Sequence, residues 1–190
     1  MPHAAEPWYY SILKGVNMKK FVIIVFFVLI GCAPKYSVVQ GIDNKNANTP
    51  LPKDSSAYIS VPEDFTSGEH LYVGSGREVA ANIELLFSKN LNSVVIGLRA
   101  ESCQQGLASA KANGYDYYIC PQLLQWDDYA TDWSGIPDRL KLKVYIMSTE
   151  PEEIIDKILI DGIGRVVTFE KETPMVIAKE PMENWVNSLF

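Results

Sequence analysis

The sequence predicts an α/β fold, in which a single domain has a mixed β-sheet of about five or six strands, helices packed on it and a C-terminal helix. Three observations predict this class. Apolar runs of strand length alternate with helical stretches between residues 58 and 126, a pattern typical of β-α-β-α-β connections. Alternating apolar and polar residues follow between 139 and 160, which indicates an antiparallel β meander. A last apolar stripe predicts the closing helix.

The first helix is predicted by its start and by its spacing. Residues 58–61 predict a strand, which ends before the helix. Ser75 and Glu78 have the spacing of a capping box, in which each side chain accepts a hydrogen bond from the backbone of the other residue. An apolar stripe continues the helix, formed by Val79, Ile83, Leu86 and Phe87. Residues 93–98 follow as a strand of the buried type.

A second capping box, at Ser102 and Gln105, predicts the start of the next helix, and Gly114 predicts its end. Residues 115–126 predict a long strand. The meander then comprises residues 139–147 and 154–160, with a further edge strand at 165–169. In the first of these, the buried face consists of Leu140, Leu142, Val144 and Ile146. Pro181 predicts the start of the final helix, because proline is favoured at the first helical position.

Residues 18–31 have the pattern of a bacterial lipoprotein signal peptide. Lys19 and Lys20 precede an unbroken apolar run over residues 21–30, and Gly31 is the small residue before Cys32 that lipoprotein signal peptidase requires. This run rises only about 15 Å as a helix, half of the roughly 30 Å hydrocarbon core of a bilayer. A membrane span is therefore disfavoured, and we expect a lipid anchor with palmitate on Cys32.

The residues around this signal divide the chain. Residues 1–17 are expected to be an upstream leader that is not part of the protein, because the codons for 14–16 can contain the ribosome-binding sequence AGGAG just before Met18. Residues 32–56 are polar, and we expect them to form the lipidated cysteine and a flexible tether. Residues 57–190 would then form the α/β lipoprotein domain.

Charge narrows the classes of function. The chain has a formal net charge of −6, and removal of Lys14, Lys19, Lys20 and Glu6 with the leader changes it to −8. An acidic domain without a basic cluster is a poor candidate for binding nucleic acid or anionic lipid head groups. Attachment to the membrane then has to come from the lipid on Cys32.

His70 is the only histidine that remains after the leader is removed, and its polar surroundings predict a surface loop. A multi-histidine metal site is therefore not available within one chain. A Ser-His-Asp triad would have to use this one histidine. We predict no catalytic residue, no metal and no cofactor.

Two cysteines remain besides the lipidated one. Cys103 falls at the start of the second predicted helix, and Cys120 falls at the end of the strand that follows it. If this helix and this strand pack antiparallel, both cysteines reach the same edge, and a disulfide is geometrically possible in an oxidising periplasm. Two separate buried thiols are the favoured alternative.

The most distinctive segment is loop 126–138, which joins two predicted strands and contains two tryptophans and four aspartates. Its candidate partner-binding residues are Trp126, Asp127, Asp128, Tyr129, Thr131, Asp132, Trp133, Ser134 and Asp138. The loop resembles the signature of a family of proteobacterial lipoproteins, domain of unknown function 4823, whose members have Trp with acidic residues, then Thr-acidic-Trp-Ser-Gly and Pro-Asp. The resemblance covers about residues 58–190. It implies an envelope lipoprotein without an established activity.

The loop admits other interpretations. Its aspartates can offer oxygens to Ca²⁺, although the spacing of an EF-hand is absent, and paired carboxylates can serve glycan hydrolysis. Turn chemistry at 134–138 instead favours aspartates that cap and solvate a loop. The tryptophans either plug the end of the core or form the hot spot of an interface. Residues 74–76, at a helix start, can receive an anion, but simple capping is favoured.

These observations predict a non-enzymatic envelope lipoprotein, an accessory or assembly subunit that docks a periplasmic or outer-membrane protein partner through loop 126–138. Ala33 follows the lipidated cysteine, where Asp retains lipoproteins in the inner membrane of many Gram-negative cells. We therefore expect the outer membrane, facing the periplasm. The alternatives are a small-ligand or ion-binding module and, less favoured, a cell-wall glycan-acting enzyme that uses the loop carboxylates.

Overall fold

A computed structural model describes residues 35–40, 50–129, 136–164 and 173–190. The strands are β1 (Lys35–Gln40), β2 (Ser56–Val61), β3 (Thr66–Ser67), β4 (His70–Leu71), β5 (Ser93–Ala100), β6 (Tyr117–Asp127), β7 (Arg139–Ser148) and β8 (Glu153–Ile163). The helices are α1 (Ser75–Phe87), α2 (Cys103–Ala112) and α3 (Met175–Asn187). Among the described residues, no helix is long and apolar enough to cross a membrane. The edge strand predicted at 165–169 lies outside them.

Six strands form a mixed sheet in the order β1-β8-β7-β6-β2-β5. β2 is parallel to β5 and β6, whereas β6, β7, β8 and β1 form an antiparallel ribbon. The chain passes from β2 through α1 to β5 on one side of β2, and through α2 to β6 on the other side. The predicted α/β fold, with its mixed sheet and C-terminal helix, is confirmed.

The helices cover both faces of the sheet. α1 and α3 pack on the face that carries Ile119, where Phe87 and Trp185 belong to the main hydrophobic core. α2 packs on the opposite face, since Ala110 clusters with Tyr118 and Cys120, which alternate with Ile119 along β6. The sheet therefore has a large core on one side and a small one on the other.

β7 follows the predicted alternation. Leu140, Leu142, Val144 and Ile146 are fully buried, whereas Lys141, Lys143 and Tyr145 between them remain partly exposed. Burying an aliphatic side chain of this size stabilises the fold by about 1.5–3 kcal/mol. A slip of one residue would expose the whole set, so this face fixes the register of the meander.

The capping box predicted at Ser75 is wrong. The Ser75 hydroxyl accepts a hydrogen bond from the backbone N–H of Phe65 at 2.9 Å. The start of α1 is capped instead by Asp64, whose carboxylate accepts from the N–H of Gly74 at 2.8 Å and of Gly76 at 2.9 Å. The reason is that the turn before α1 folds back over the helix start.

The capping box predicted at the start of α2 is confirmed. The Ser102 hydroxyl accepts from the Gln105 N–H at 3.3 Å, and the Gln105 side-chain oxygen accepts from the Ser102 N–H at 3.0 Å. Gly114, just after this helix, has a φ of 71°, the left-handed conformation that glycine adopts at low cost.

Two further predictions are wrong because tertiary structure overrides the local signal. β5 is an edge strand with Val95 and Leu98 exposed, because the connection through α2 returns the chain across β2 and leaves β5 with one neighbour. α3 begins at Met175, six residues before Pro181. Pro181 lies buried inside the helix, where it leaves one backbone carbonyl without its helical donor.

The segment predicted as a flexible tether is partly structured. β1 pairs antiparallel with β8, from Lys35 opposite Ile163 to Gln40 opposite Ile158. Leu51 is buried, and its N–H donates to the carbonyl of Leu189 at 2.8 Å. These parts of residues 32–56 therefore belong to the domain.

Unequal strand lengths give the sheet two distinct ends. Ile59 pairs with Ile119, but β2 ends two residues later whereas β6 continues for eight, so the antiparallel ribbon projects about 20 Å further. The loop end is the tip of this ribbon, which comprises residues 35, 127–129, 136–139 and 163–164. The hairpin end is the opposite end, which comprises residues 54–56, 90–93, 113–116 and 148–153.

Candidate functional site

One row of paired residues crosses four strands at the loop end. Asp127 pairs with Arg139, Arg139 with Ile163, and Ile163 with Lys35. Loop 126–138 leaves and re-enters the sheet at this row. The following candidate site residues lie outside the described residues: Cys32, Thr131, Asp132, Trp133 and Ser134. The site is therefore built from Trp126–Tyr129 and from 136–138.

Trp126 is part of the core. Its side chain is buried in the main hydrophobic cluster, on the same side of the sheet as α1 and α3. The sequence allows two roles for the tryptophans, and the burial of Trp126 supports the first, in which the side chain fills the end of the hydrophobic core. Its effect on a partner can only be indirect, through the position of the residues that follow it.

The aspartates at the foot of the loop brace it. The Asp138 carboxylate accepts from the N–H of Tyr129 at 2.8 Å, and its backbone carbonyl accepts from the N–H of Gly164 at 2.9 Å. The Asp127 carboxylate accepts from the side-chain amide of Gln125 at 2.6 Å. Both aspartates are buried. These bonds join the exit of β6, the entry of β7 and the exit of β8 into one rigid foot.

Apolar side chains project from this foot. Tyr129 and Ile136, on the two sides of the loop, are exposed, as is Ile163 at the neighbouring strand end. Asp128, next to Tyr129, is half-buried, and Lys35 and Arg139 in the same row of the sheet are exposed. Buried, hydrogen-bonded carboxylates thus lie beneath exposed apolar side chains, which is the reverse of the usual arrangement of polar groups outside and apolar groups inside.

The surface loop predicted around His70 is a turn that lies against the loop end, a position that its sequence does not indicate. The Tyr72 hydroxyl forms a hydrogen bond with the backbone of Asp128, at the foot of the loop. Burial raises the pKa of Tyr72, and the neighbouring Tyr129 and Asp127 raise it further. The His70 ring meets the Tyr72 ring edge-on, with centroids 4.4 Å apart. Leu71 and Val73 beside it are exposed. The sequence feature that could have indicated a contact surface here is the apolar run at residues 71–73 in an otherwise polar turn.

Metal and anion binding receive little support from this geometry. Within the described ranges, no group of three or more His, Cys, Asp or Glu side chains is placed to hold a metal ion. At the start of α1, the N–H groups of Gly74 and Gly76 already bond the Asp64 carboxylate. The Asp64 carboxylate thus occupies the position at the helix start where the sequence allows an external anion to bind.

A second polar cluster lies under α2. The Tyr58 hydroxyl donates to the Glu101 carboxylate at 2.5 Å, and the Ser109 hydroxyl donates to its other oxygen at 3.3 Å. Burial and the hydrogen bond to Glu101 raise the pKa of Tyr58 above its usual range. Burial also raises the pKa of Tyr118 to about 12, and its hydroxyl bonds that of Ser60 at 2.8 Å.

Cys103 and Cys120 form a disulfide in the same region, with their Cα atoms 5.5 Å apart. Of the two alternatives that the sequence left open, the structure has the bridge. It joins the first residue of α2 to the middle of β6, so it holds this helix against the sheet. A cleft of about 690 Å³ lies beside it, in the recess where β6 extends beyond β2 and β5, lined by residues 62–66, 100–103, 105 and 121–124.

Comparison with known proteins adds a family and a fold. A protein-family model described as Domain of unknown function (DUF4823) matches residues 49–189. No curated protein matches the chain. Among solved structures, the PelC dodecamer from Paraburkholderia phytofirmans is similar with a TM-score of 0.61 and 10% identity, over 82% of this chain and 97% of that chain. A variant of the same dodecamer has a TM-score of 0.59 and 8% identity, over 83% and 98%. Similarity at this level of identity shows a shared fold.

Proposed function

The chain belongs to the family described as Domain of unknown function (DUF4823), and on that premise we propose that it is a non-enzymatic bacterial envelope lipoprotein. It would act as an accessory or assembly subunit, anchored by lipid on Cys32 in the outer membrane and facing the periplasm. Loop 126–138 would dock a periplasmic or outer-membrane protein. The observation that carries the proposal is the braced foot of this loop, which presents Tyr129 and Ile136 to the surface.

The geometry favours docking over catalysis. A general acid or base has to reach its substrate, whereas Asp127 and Asp138 are buried and hydrogen-bonded within the protein. An aromatic side chain on a rigid foot is suited to an interface, because little conformational entropy is lost when a partner covers it. The loop thus resembles an anchor point more than a reaction centre.

The test is photo-crosslinking in living cells. A photoreactive residue replaces Tyr129, and a matched control probe replaces Glu152, which is exposed at the hairpin end. We expect one dominant envelope protein in the crosslinks from position 129 and none of it from position 152. A second copy of this chain is among the proteins to look for, since PelC is a dodecamer with the same fold.

Equal crosslinks from both positions, or none from 129 in a folded and lipidated protein, would refute docking by the loop. The anchor has its own test, since a Cys32→Ser variant should leave the membrane fraction. Fractionation of the wild-type protein with the inner membrane would contradict the expected location.

A small-ligand module is the second candidate, favoured by the cleft beside the disulfide. Its walls carry side chains able to bond a polar ligand, among them Glu101, Gln105 and Gln122. A ligand that binds only the native state raises the melting temperature by mass action. A rise with one compound of a metabolite panel, abolished by Gln122→Ala and retained in Glu152→Gln, would support this function. No shift across the panel would count against it.

A further inference from the structure

The direction of β1 relates the lipid anchor to the loop end. β1 begins at Lys35 in the row of Ile163, Arg139 and Asp127, and then runs toward the hairpin end. The chain that precedes Lys35 therefore enters the domain at the loop end. The flexible tether expected from the sequence would have left this orientation undetermined, whereas the pairing of β1 with β8 fixes it.

The connection from the anchor to β1 is short. Cys32 precedes Lys35 by three residues, and an extended chain of that length spans at most about 11 Å whatever its conformation. Acyl chains on Cys32 have to lie in a bilayer. The surface of that bilayer is then within about 11 Å of the first residue of β1, and hence close to the loop end.

The surface of the loop end suits the interfacial region of a bilayer, because exposed apolar side chains lie there beside the exposed cations Lys35 and Arg139. Tyr129, Ile136 and Ile163 are exposed there, with Leu71 and Val73 on the adjoining turn. Tyrosine is favoured at membrane interfaces, because one edge of its ring is apolar and its hydroxyl can stay wet. Asp127 and Asp138 are buried and hydrogen-bonded, whereas Asp128, next to Tyr129, is half-buried.

The hairpin end has a different surface. Lys111 and Glu152 form an exposed ion pair there, and Glu150 and Glu153 are exposed beside it. β8 connects the two ends, and its eleven residues span about 35 Å. A domain that rests on its loop end therefore holds its hairpin end far from the bilayer.

We propose that the loop end rests on the lipid bilayer that holds the acyl chains of Cys32. The proposal rests on the lipid anchor of the proposed function and adds an orientation to it. The contact is made mainly by the apolar side chains of the loop end, so it should form on a bilayer without anionic lipid. A protein that docks on loop 126–138 then has to reach it at the membrane surface.

The experiment compares two isoleucines on one strand. Ile163→Cys and Ile154→Cys are both exposed, lie at opposite ends of β8, and are about 30 Å apart. Each variant of the full-length lipidated protein carries a fluorophore and is reconstituted in phosphatidylcholine vesicles. Some of the lipids carry a nitroxide quencher on the head group, which acts only at short range.

We expect the probe at position 163 to lose most of its fluorescence and the probe at 154 to lose almost none. Raising the salt concentration should not change this difference. An insertion of about 20 Gly and Ser residues between Cys32 and Lys35 should reduce it, because a flexible segment of that length lets the domain move away.

The outcomes separate the two proposals. If the wild-type protein fails to float with the vesicles, the lipid anchor is wrong and the orientation falls with it. If it floats but both probes are quenched equally, or neither is, the anchor stands and the orientation is overturned. If the quenching at position 163 disappears at high salt, the contact with the bilayer is electrostatic, and the apolar contact is overturned. If the side chain at position 163 is shielded in native envelopes but not on the lipid vesicles, this surface is covered by a protein and not by the bilayer.

Discussion

The two ends of the sheet are closed in similar ways but present different surfaces. At the hairpin end, the Asp116 carboxylate accepts from the N–H and the hydroxyl of Ser56, both at 2.8 Å, and the Thr149 hydroxyl donates to the carbonyl of Tyr115 at 2.6 Å. At the loop end, Asp138 joins the strands in the same manner. A buried or engaged aspartate is thus a structural device at both ends.

The remaining surface distinguishes them. Val73 is 82% exposed and Ile136 52% at or beside the loop end, whereas Ile154, next to the hairpin end, is 36% exposed. Polar and acidic side chains make up most of the rest of the hairpin end. Exposed apolar groups that gather at one end of a molecule mark a contact surface more than scattered ones do. The bracing is therefore common to both ends, whereas exposed apolar side chains are more prominent at the loop end, which makes it the better candidate of the two for a contact surface.

The largest expected effect comes from the buried part of the loop end. Trp126→Ala should lower the free energy of unfolding by about 3–5 kcal/mol, because it removes a large core side chain and leaves a cavity. Tyr129→Ala, three residues on, should change it by less than about 0.5 kcal/mol, because its side chain is exposed. Urea unfolding of both variants checks this. Equal losses of unfolding free energy would contradict a buried role for Trp126 and an exposed role for Tyr129.

The disulfide should have the next largest effect. A Cys103→Ala, Cys120→Ala double variant should lose about 3 kcal/mol, because the bridge closes a loop with a sequence separation of 17 residues. The measurement is denaturant unfolding of this variant beside the wild-type protein under non-reducing conditions. If reduction of the wild-type protein leaves its unfolding midpoint unchanged, the bridge does not contribute as described.

A smaller effect is expected at the turn beside the loop end. Asp64→Ala should cost about 1 kcal/mol, because the N–H groups of Gly74 and Gly76 lose their acceptor. Glu63→Ala is the matched control, since Glu63 is the exposed neighbour. Thermal unfolding of both variants is the measurement. If the two variants have the same melting temperature, Asp64 does not cap the helix as described.

The smallest effect is expected at the hairpin end. Glu152→Gln removes the exposed ion pair with Lys111, whose atoms are 2.6 Å apart, and should cost less than about 1 kcal/mol. The loss should shrink further at high salt. If Glu152→Gln lowers the free energy of unfolding by more than Asp64→Ala does, the exposed ion pair at the hairpin end contributes more to stability than a surface ion pair is expected to.

Part of this structure could be predicted from local pattern. The alternation in residues 139–147 specifies both strand and face, because each alternate side chain has to be buried. The capping box at Ser102 involves residues three positions apart, so its geometry is encoded locally. The same holds for the stop at Gly114.

Other features depend on contacts that are distant in sequence. Asp64 caps a helix that starts eleven residues later, and only the folded turn brings it there. β1 is short and polar in part, and it is a strand only because β8 offers it an edge. At the site, the loop itself was predictable from its composition, but the inward orientation of Asp127 and Asp138 and the adjoining Tyr72 turn were not.

Hydrogen–deuterium exchange of the lipidated protein in native envelopes and in detergent reports which end of the sheet is covered. We predict that residues 127–129 and 136–139 exchange more slowly in envelopes, with residues 65–73 beside them, while residues 148–153 exchange equally in both. Slower exchange at the hairpin end, or no difference at either end, would contradict the account.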